Sequence, residues 1–278
     1  MSNSTVNFTS PEASTNKFGS ENSLDLYLYS INVLFGFPTH SYVLWLIITG
    51  TKSGVASEFF NLNLSVCEIG VCLNCLLFIL SSCFALSHLG TSIWFLLGLI
   101  VTGRPLFQCL MCVERYLAVV HPVTFLKYKP LRYRVICCGV VWIIIIGSCL
   151  CGMFCFMLNY VFVYTWFFSP QFLILLSIQL FCLVAVLRTL KQSGPGERAR
   201  EKEENHMKRR AFYLILITTL TMCVIYIPMI IYGISVIVTS KLIKGLFSFG
   251  FICYVFGGFV QPVVYLHRVG KLSCLCWP

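Results

Sequence analysis

Seven apolar stretches, each long enough to cross a lipid bilayer as a helix, follow one another along this chain of 278 residues. A run of ~20 apolar residues spans the hydrocarbon core, where only helices and closed barrels can satisfy their own backbone. The pattern therefore predicts an all-α membrane protein, a seven-transmembrane helix bundle forming one domain at 26–266, between tails at 1–25 and 267–278. The stretches lie at about 26–50, 58–83, 91–119, 133–157, 161–188, 209–237 and 243–266.

The positions of Lys and Arg indicate which side of the membrane each loop faces. They are concentrated at Lys52, between residues 115 and 134, between 188 and 210, and in the short C-terminal tail. Cytoplasmic loops carry an excess of Lys and Arg, so we expect these segments in the cytoplasm and the N-terminus outside the cell. Two glycosylation acceptor sequences, at Asn3 and Asn7, agree with an extracellular N-terminal tail.

The composition argues against several other classes of protein. The net charge of +10 follows the loops, so it predicts a membrane topology and no nucleic-acid partner. Most of the 16 cysteines fall within apolar runs, where cysteine packs as a small apolar residue. The spacings Cys72/Cys75 and Cys109/Cys112 are typical of metal ligands, but no matching His/Cys set accompanies them. We therefore expect no metal and no cofactor, and the absence of any converging catalytic set predicts that the chain is not an enzyme.

Several short sequences carry a resemblance to a known family. The third stretch ends in Glu114-Arg115-Tyr116, which is similar to the Glu/Asp-Arg-Tyr motif of rhodopsin-like (class A) G-protein-coupled receptors, and His121-Pro122 follows as in that family. In the seventh stretch, Gln261-Pro-Val-Val-Tyr265 resembles the family's Asn-Pro-x-x-Tyr motif. Trp142 in the fourth stretch matches the family's tryptophan, and the loop after the third is typical of the nucleotide, protease-activated and lipid-acid receptor branch.

The resemblance implies a receptor in the plasma membrane, surrounded by lipids, that couples an extracellular ligand to a heterotrimeric G protein. It implies that Glu114, Arg115, Tyr116, Pro262 and Tyr265 form the coupling switch. Arg115 would either pair with Glu114 or move toward the G protein when the sixth helix moves. A simpler alternative is a charge pair that anchors the helix end at the interface.

Glu68 and Arg104 lie within apolar stretches, Arg104 roughly 16 Å from Arg115 along a helix. A lone charge in mid-membrane costs about 3 kcal/mol or more, so we expect the two side chains to pair. The resemblance places Arg104 opposite Glu68, where many family members hold sodium, and implies that its guanidinium takes the place of that ion. The alternative is that Arg104 faces a water-filled cavity and Glu68 is protonated.

The resemblance also implies a hinge and a ligand pocket. Tyr226 stands where the family has a toggle tryptophan, and Pro228 should kink the sixth helix. Leu97 stands where amine receptors carry aspartate, so we expect no monoamine ligand and favour a small apolar or lipid-like one. The predicted lining is Trp94, Leu97, Val101, Met229, Ile230, Phe247 and Phe251.

The sequence departs from the family at its outer disulfide, because Gly90 replaces one of the two cysteines. Cys83 and Cys155 lie near outer helix ends and could form a substitute bridge. Cys274 and Cys276, beside basic residues near the membrane, are candidate palmitoylation sites. These departures keep open a non-signalling receptor-like protein, a decoy or chaperone. A transporter is the remaining alternative, which would need inverted repeats that the sequence does not show.

Overall fold

The seven-helix bundle that the sequence predicts is confirmed by a computed structural model, which describes residues 25–50, 58–84, 86–128, 131–158, 161–192, 199–239 and 243–269. A 3-10 turn, Ser87–Leu89, precedes the third helix, and a short helix, Pro122–Tyr128, follows it. The long helices are α1 Asp25–Thr49, α2 Phe59–Phe84, α3 Gly90–Val120, α4 Leu131–Met157, α5 Val161–Gln192, α6 Ala199–Thr239, and α7 in two segments, Lys244–Gly258 and Val260–Arg268. We call the end of the bundle at which α1 begins outer, and the end at which α3 finishes inner.

Three helices are irregular near the middle of the bundle, each time close to a proline. A π-helical turn at Asn32–Gly36 precedes Pro38 in α1, and another at Leu99–Gly103 precedes Pro105 in α3. Proline lacks a backbone N–H and clashes with the carbonyl four residues earlier, which favours a wider turn before it. In α7 the helix breaks at Phe259, after two glycines and before Pro262.

Small residues let α3 and α4 approach each other closely. A Cβ placed on Gly98 would meet the backbone of Ser148 and Cys149, and one on Gly152 would lie 2.8 Å from the Trp94 carbonyl oxygen. Close backbone approach at small residues is a common way for membrane helices to pack. Towards the inner end, the Trp142 Nε1–H donates a hydrogen bond of 2.9 Å to Asn63 Oδ1 and joins α4 to α2.

Among the four apolar clusters of the described residues, two lie around the predicted site. The outer cluster contains several aromatic residues and includes Phe172, Tyr226, Ile230, Phe251 and Tyr254. A smaller inner cluster consists of Cys112, Val186 and Ile215, on α3, α5 and α6. The charged and polar groups of the candidate site lie between these clusters and toward the inner end of the bundle.

Candidate functional site

A buried ion pair occupies the centre of the bundle. The Arg104 guanidinium donates from Nε to Glu68 Oε1 and from Nη2 to Glu68 Oε2, both at 2.5 Å. Only 2% of Arg104 and 4% of Glu68 are exposed. This two-point contact between a planar guanidinium and a carboxylate is the strongest geometry available to such a pair. The structure thus brings together the two intramembrane charges that the sequence singled out.

Helices α7 and α1 complete the surroundings of this pair. Arg104 Nη1 donates to the Tyr254 carbonyl oxygen at 2.6 Å, and the guanidinium carbon lies 3.6 Å from the centre of the Tyr254 ring. His40 Nε2 on α1 lies 4.0 Å from Glu68 Oε2. A Cβ on Gly258 would lie 2.8 Å from Arg104 Nη2, so this glycine provides the room for the guanidinium against α7. The Arg104 side chain therefore joins α2, α3 and α7.

Sequence reasoning missed the contributions of Tyr254 and Gly258 to the ion pair. Both lie in α7, and they are four residues apart, which places them on one face of that helix. That spacing could have indicated a shared neighbour, but not that the neighbour is Arg104, because Tyr254 supplies a main-chain carbonyl that any residue carries.

A small cavity lies between α1, α2 and α7, and His40, the neighbour of Glu68, is one of its lining residues. Its free volume is about 10 Å³, close to the minimum that holds one water molecule. Pro262 and Tyr265 of the predicted switch line it, together with His40 and Gln261. His40 thus lies between the α7 motif and the Glu68 carboxylate.

The inner end of α3 carries the acid–Arg–Tyr sequence, for which pairing of Arg115 with Glu114 was one of the two expected states. Glu114 pairs with Arg134 on α4 instead of Arg115. Consecutive residues on a helix point in different directions, so Glu114 and Arg115 do not face each other. The Tyr116 hydroxyl lies 3.1 Å from His121 Nε2, and its ring contacts Phe181.

Arg115 itself is half-buried among other charges at this end. It interacts electrostatically with Arg268, Glu58 and Glu114. Glu58, at the start of α2, pairs with Arg268 at the end of α7 and accepts a hydrogen bond from Asn61. Sequence reasoning did not single out Glu58 or Arg134, because both stand at helix ends where charges are ordinary.

The residues predicted to line a ligand pocket all lie in or against the outer cluster. Ile230 and Phe251 are buried members, and the more exposed Phe247 stacks on Phe251 with ring centres 6.4 Å apart. Tyr226 lies two residues before Pro228 in α6 and is 1% exposed. Its ring centre lies 4.5 Å from that of Phe172. The remaining members of the predicted pocket that pack there are Trp94, Leu97, Val101 and Met229.

The suggested disulfide is not formed. Cys83 and Cys155 are both free, because Cys83 is exposed at the end of α2 whereas Cys155 is buried on α4, beside Cys151 one turn earlier. No group of three or more potential metal ligands occurs in the part of the chain that the structure describes. Asn3, Asn7, Cys274 and Cys276 lie outside the described residues.

Comparisons with known proteins identify relatives of most of the bundle. The family described as "7 transmembrane receptor (rhodopsin family)" matches residues 40–265. The human chemokine XC receptor 1 is 31% identical over 188 residues, covering 62% of this chain and 56% of that receptor. The rat uracil nucleotide/cysteinyl leukotriene receptor is 27% identical over 136 residues, 45% of this chain and 38% of its own. The rat proteinase-activated receptor 3 is 27% identical over 131 residues, 43% of this chain and 33% of its own.

The matched part of the chain thus spans 56% of the length of the chemokine receptor and less than half of the other two relatives. The family match nevertheless covers most of the chain and runs from His40 beside the ion pair to Tyr265 of the α7 motif. The leukotriene and proteinase-activated receptors agree with the branch that the sequence indicated. Seven spans of this family place the chain in the plasma membrane as a multi-pass protein. The chain belongs to the rhodopsin family of seven-transmembrane receptors.

Proposed function

We propose that this receptor transmits the binding of an extracellular ligand to a heterotrimeric G protein at the inner end of the bundle. The observation that carries the proposal is the state of Arg115. Its acidic neighbour Glu114 is engaged by Arg134, so Arg115 stands half-buried at the inner end of α3 without that partner. A guanidinium in this place suits a contact with backbone carbonyls or a carboxylate of an inserted partner helix.

Movement of α6 would open the inner end to such a partner. Pro228 lies within α6, where the missing hydrogen bond weakens the helix and gives it a point of bending. Below that point, Ile215 packs against Cys112 and Val186 and closes the inner end. An outward swing of α6 would separate these side chains and expose Arg115.

The ligand that best suits the outer end is a small apolar or lipid-like molecule. The predicted lining residues are apolar or aromatic, and Leu97 offers no carboxylate for an amine. The relatives are named for a chemokine and for nucleotide and leukotriene ligands, which differ widely in chemistry. The ligand class therefore rests on the residues of this chain. In the structure these side chains pack together, so a ligand would have to separate them. Binding often needs only such side-chain movements, with little change of the backbone.

At Glu68, where many family members hold sodium, the surroundings in this chain do not suit that ion. Both Glu68 oxygens already accept hydrogen bonds from Arg104, and the guanidinium carries the positive charge that a sodium ion would supply. A cation at Glu68 would meet the guanidinium at short range and be repelled. We therefore propose that Arg104 is a built-in counter-ion for Glu68.

The experiment is G-protein activation in cells that express the wild type, Arg115→Ala or Arg132→Ala, first without ligand and then with a library of lipids. Arg132 is an exposed arginine at the same end of the bundle and serves as the matched control. We expect a signal in the wild type and in Arg132→Ala, and none in Arg115→Ala at equal surface expression. Silence of all three proteins at the cell surface would instead favour a non-signalling receptor-like protein.

A further inference from the structure

Two glutamines in the interior have no partner for their amide groups. Gln108 on α3 and Gln179 on α5 are both 0% exposed. Among the described residues, neither the nitrogen nor the oxygen of either amide has a hydrogen-bond partner. The hydroxyl of Thr219 on α6, a residue 2% exposed, also lacks one within the described chain. Five polar atoms on three helices thus remain without a protein partner.

The three side chains lie at a similar depth. Gln108 is four residues from Cys112, Gln179 is seven from Val186, and Thr219 is four from Ile215, and these spacings place each on the face that carries the inner cluster. Because α6 runs opposite to α3 and α5, all three steps lead outward, by roughly 6 to 10 Å.

Two further contacts support this arrangement. Thr102 Oγ1 of α3 lies 3.4 Å from Gln171 Oε1 of α5, outward of Gln108 and Gln179, and the Tyr116 and Phe181 ring centres lie 5.8 Å apart on their inner side. The two helices therefore adjoin at this depth, and the polar side chains form a layer between the inner cluster and Arg104.

Such a layer is unfavourable unless its buried donors and acceptors find hydrogen-bond partners. A buried donor or acceptor without a partner costs about 1–3 kcal/mol, and buried polar groups nearly always have a partner. The set contains amide donors, amide acceptors and a hydroxyl, all uncharged. A cation could use only the oxygens and an anion only the N–H groups, whereas water can donate to one and accept from the other.

We propose that Gln108, Gln179 and Thr219 form a buried binding site for ordered water between α3, α5 and α6. The site does not depend on what the receptor binds or on which G protein it activates. Hydrogen bonds through water can be exchanged one at a time, so a hydrated layer lets α6 shift against α3 without separating interlocked apolar side chains.

Hydroxyl-radical labelling of the purified full-length protein tests the site. Brief radiolysis produces radicals from water, including water inside a protein, and methionine sulfur is readily oxidised. Met222 is 0% exposed and lies one turn from Thr219, so it should be oxidised only if water is held nearby. Met157, which is 61% exposed, reports the radical dose. We expect Met222 to be oxidised in the wild type and protected in the double variant Gln108→Leu/Gln179→Leu.

Two further variants keep the test independent of folding defects. Thr219→Val removes one hydroxyl without changing the shape of the side chain and should reduce Met222 oxidation. Asn74→Leu removes a buried amide on α2, away from the layer, and should leave the oxidation of Met222 unchanged. An unoxidised Met222 in the wild type would overturn the proposal, and so would equal oxidation in the wild type and the folded double variant, because the amides would then hold no water.

Discussion

Replacing Arg104 by methionine should destabilise the receptor strongly, because it leaves the Glu68 carboxylate buried without its counter-ion. The change removes two hydrogen bonds to Glu68 and one to the Tyr254 carbonyl oxygen. Removing one partner of a buried ion pair costs about 3–5 kcal/mol. Two charge-assisted hydrogen bonds at about 1.5–3 kcal/mol each give a similar value.

The effects of replacing Glu68 and Arg104 on stability should depend on each other. Glu68→Leu should destabilise the protein to a similar extent, since it leaves the guanidinium buried with only a carbonyl and an aromatic ring. The double variant Glu68→Leu/Arg104→Met leaves no buried charge at this position. Replacing a whole buried pair by apolar residues is often neutral or stabilising. We therefore expect the double variant to recover most of the lost stability.

Thermal unfolding of the detergent-purified protein, followed with a thiol-reactive dye, measures these effects. Buried free cysteines such as Cys67, Cys72 and Cys112 become reactive only when the bundle opens. For a protein of this size, 1 kcal/mol corresponds to about 2–4 °C, so each single variant should lower the melting temperature by roughly 6–20 °C.

The matched control is Asn74→Leu, which replaces a polar side chain on α2 that is as deeply buried as Glu68. It should change the melting temperature much less than either single variant. The reasoning would be refuted if the double variant lost as much stability as the two single variants together, because the effects would then be independent.

Three further predictions follow from the same region. The melting temperature should be the same in sodium chloride and in choline chloride, since Arg104 already neutralises Glu68; a rise specific to sodium would contradict this. Gly258→Ala should lower it, because the new Cβ would lie 2.8 Å from Arg104 Nη2, whereas Gly147→Ala, with no neighbouring atom within 4 Å, should not. Trp142→Phe should cost about 1–2 kcal/mol through loss of the hydrogen bond to Asn63, measured in the same assay, and an unchanged melting temperature would show that this bond contributes nothing.

The positions of the helices could be predicted from the sequence because the bilayer fixes the length of an apolar span. The second predicted stretch, 58–83, corresponds to Phe59–Phe84, and the fourth, 133–157, to Leu131–Met157. The sixth, at 209–237, corresponds to the apolar span Phe212–Thr239 of a helix that begins earlier, at Ala199. Hydropathy detects only the part of a helix that lies in lipid, and the first ten residues of α6 are rich in charged side chains.

The contacts of the site were predictable only where chemistry left few choices. Arg104 lies deep within an apolar stretch of the sequence, as Glu68 does, so their pairing followed from the energy of a charge in lipid. Glu114 stands at a helix end among several arginines, and its partner Arg134 depends on how α4 packs against α3. The side-chain direction of Cys83 depends likewise on the rotation of α2, which sequence alone did not define.

The ion pair and the hydrated layer divide the bundle into two parts with different freedom to move. Arg104 joins α2, α3 and α7 by hydrogen bonds that include a charged pair, whereas α5 and α6 face α3 with apolar side chains and the uncharged Gln108, Gln179 and Thr219. We infer that α6 moves against a fixed group of α2, α3 and α7. The double variant Glu68→Leu/Arg104→Met distinguishes this independent movement of α6 from a movement that also requires α7. Unchanged ligand-independent signalling in that variant would show that α6 moves without α7, and increased signalling would show that the ion pair restrains activation by holding α7 in place.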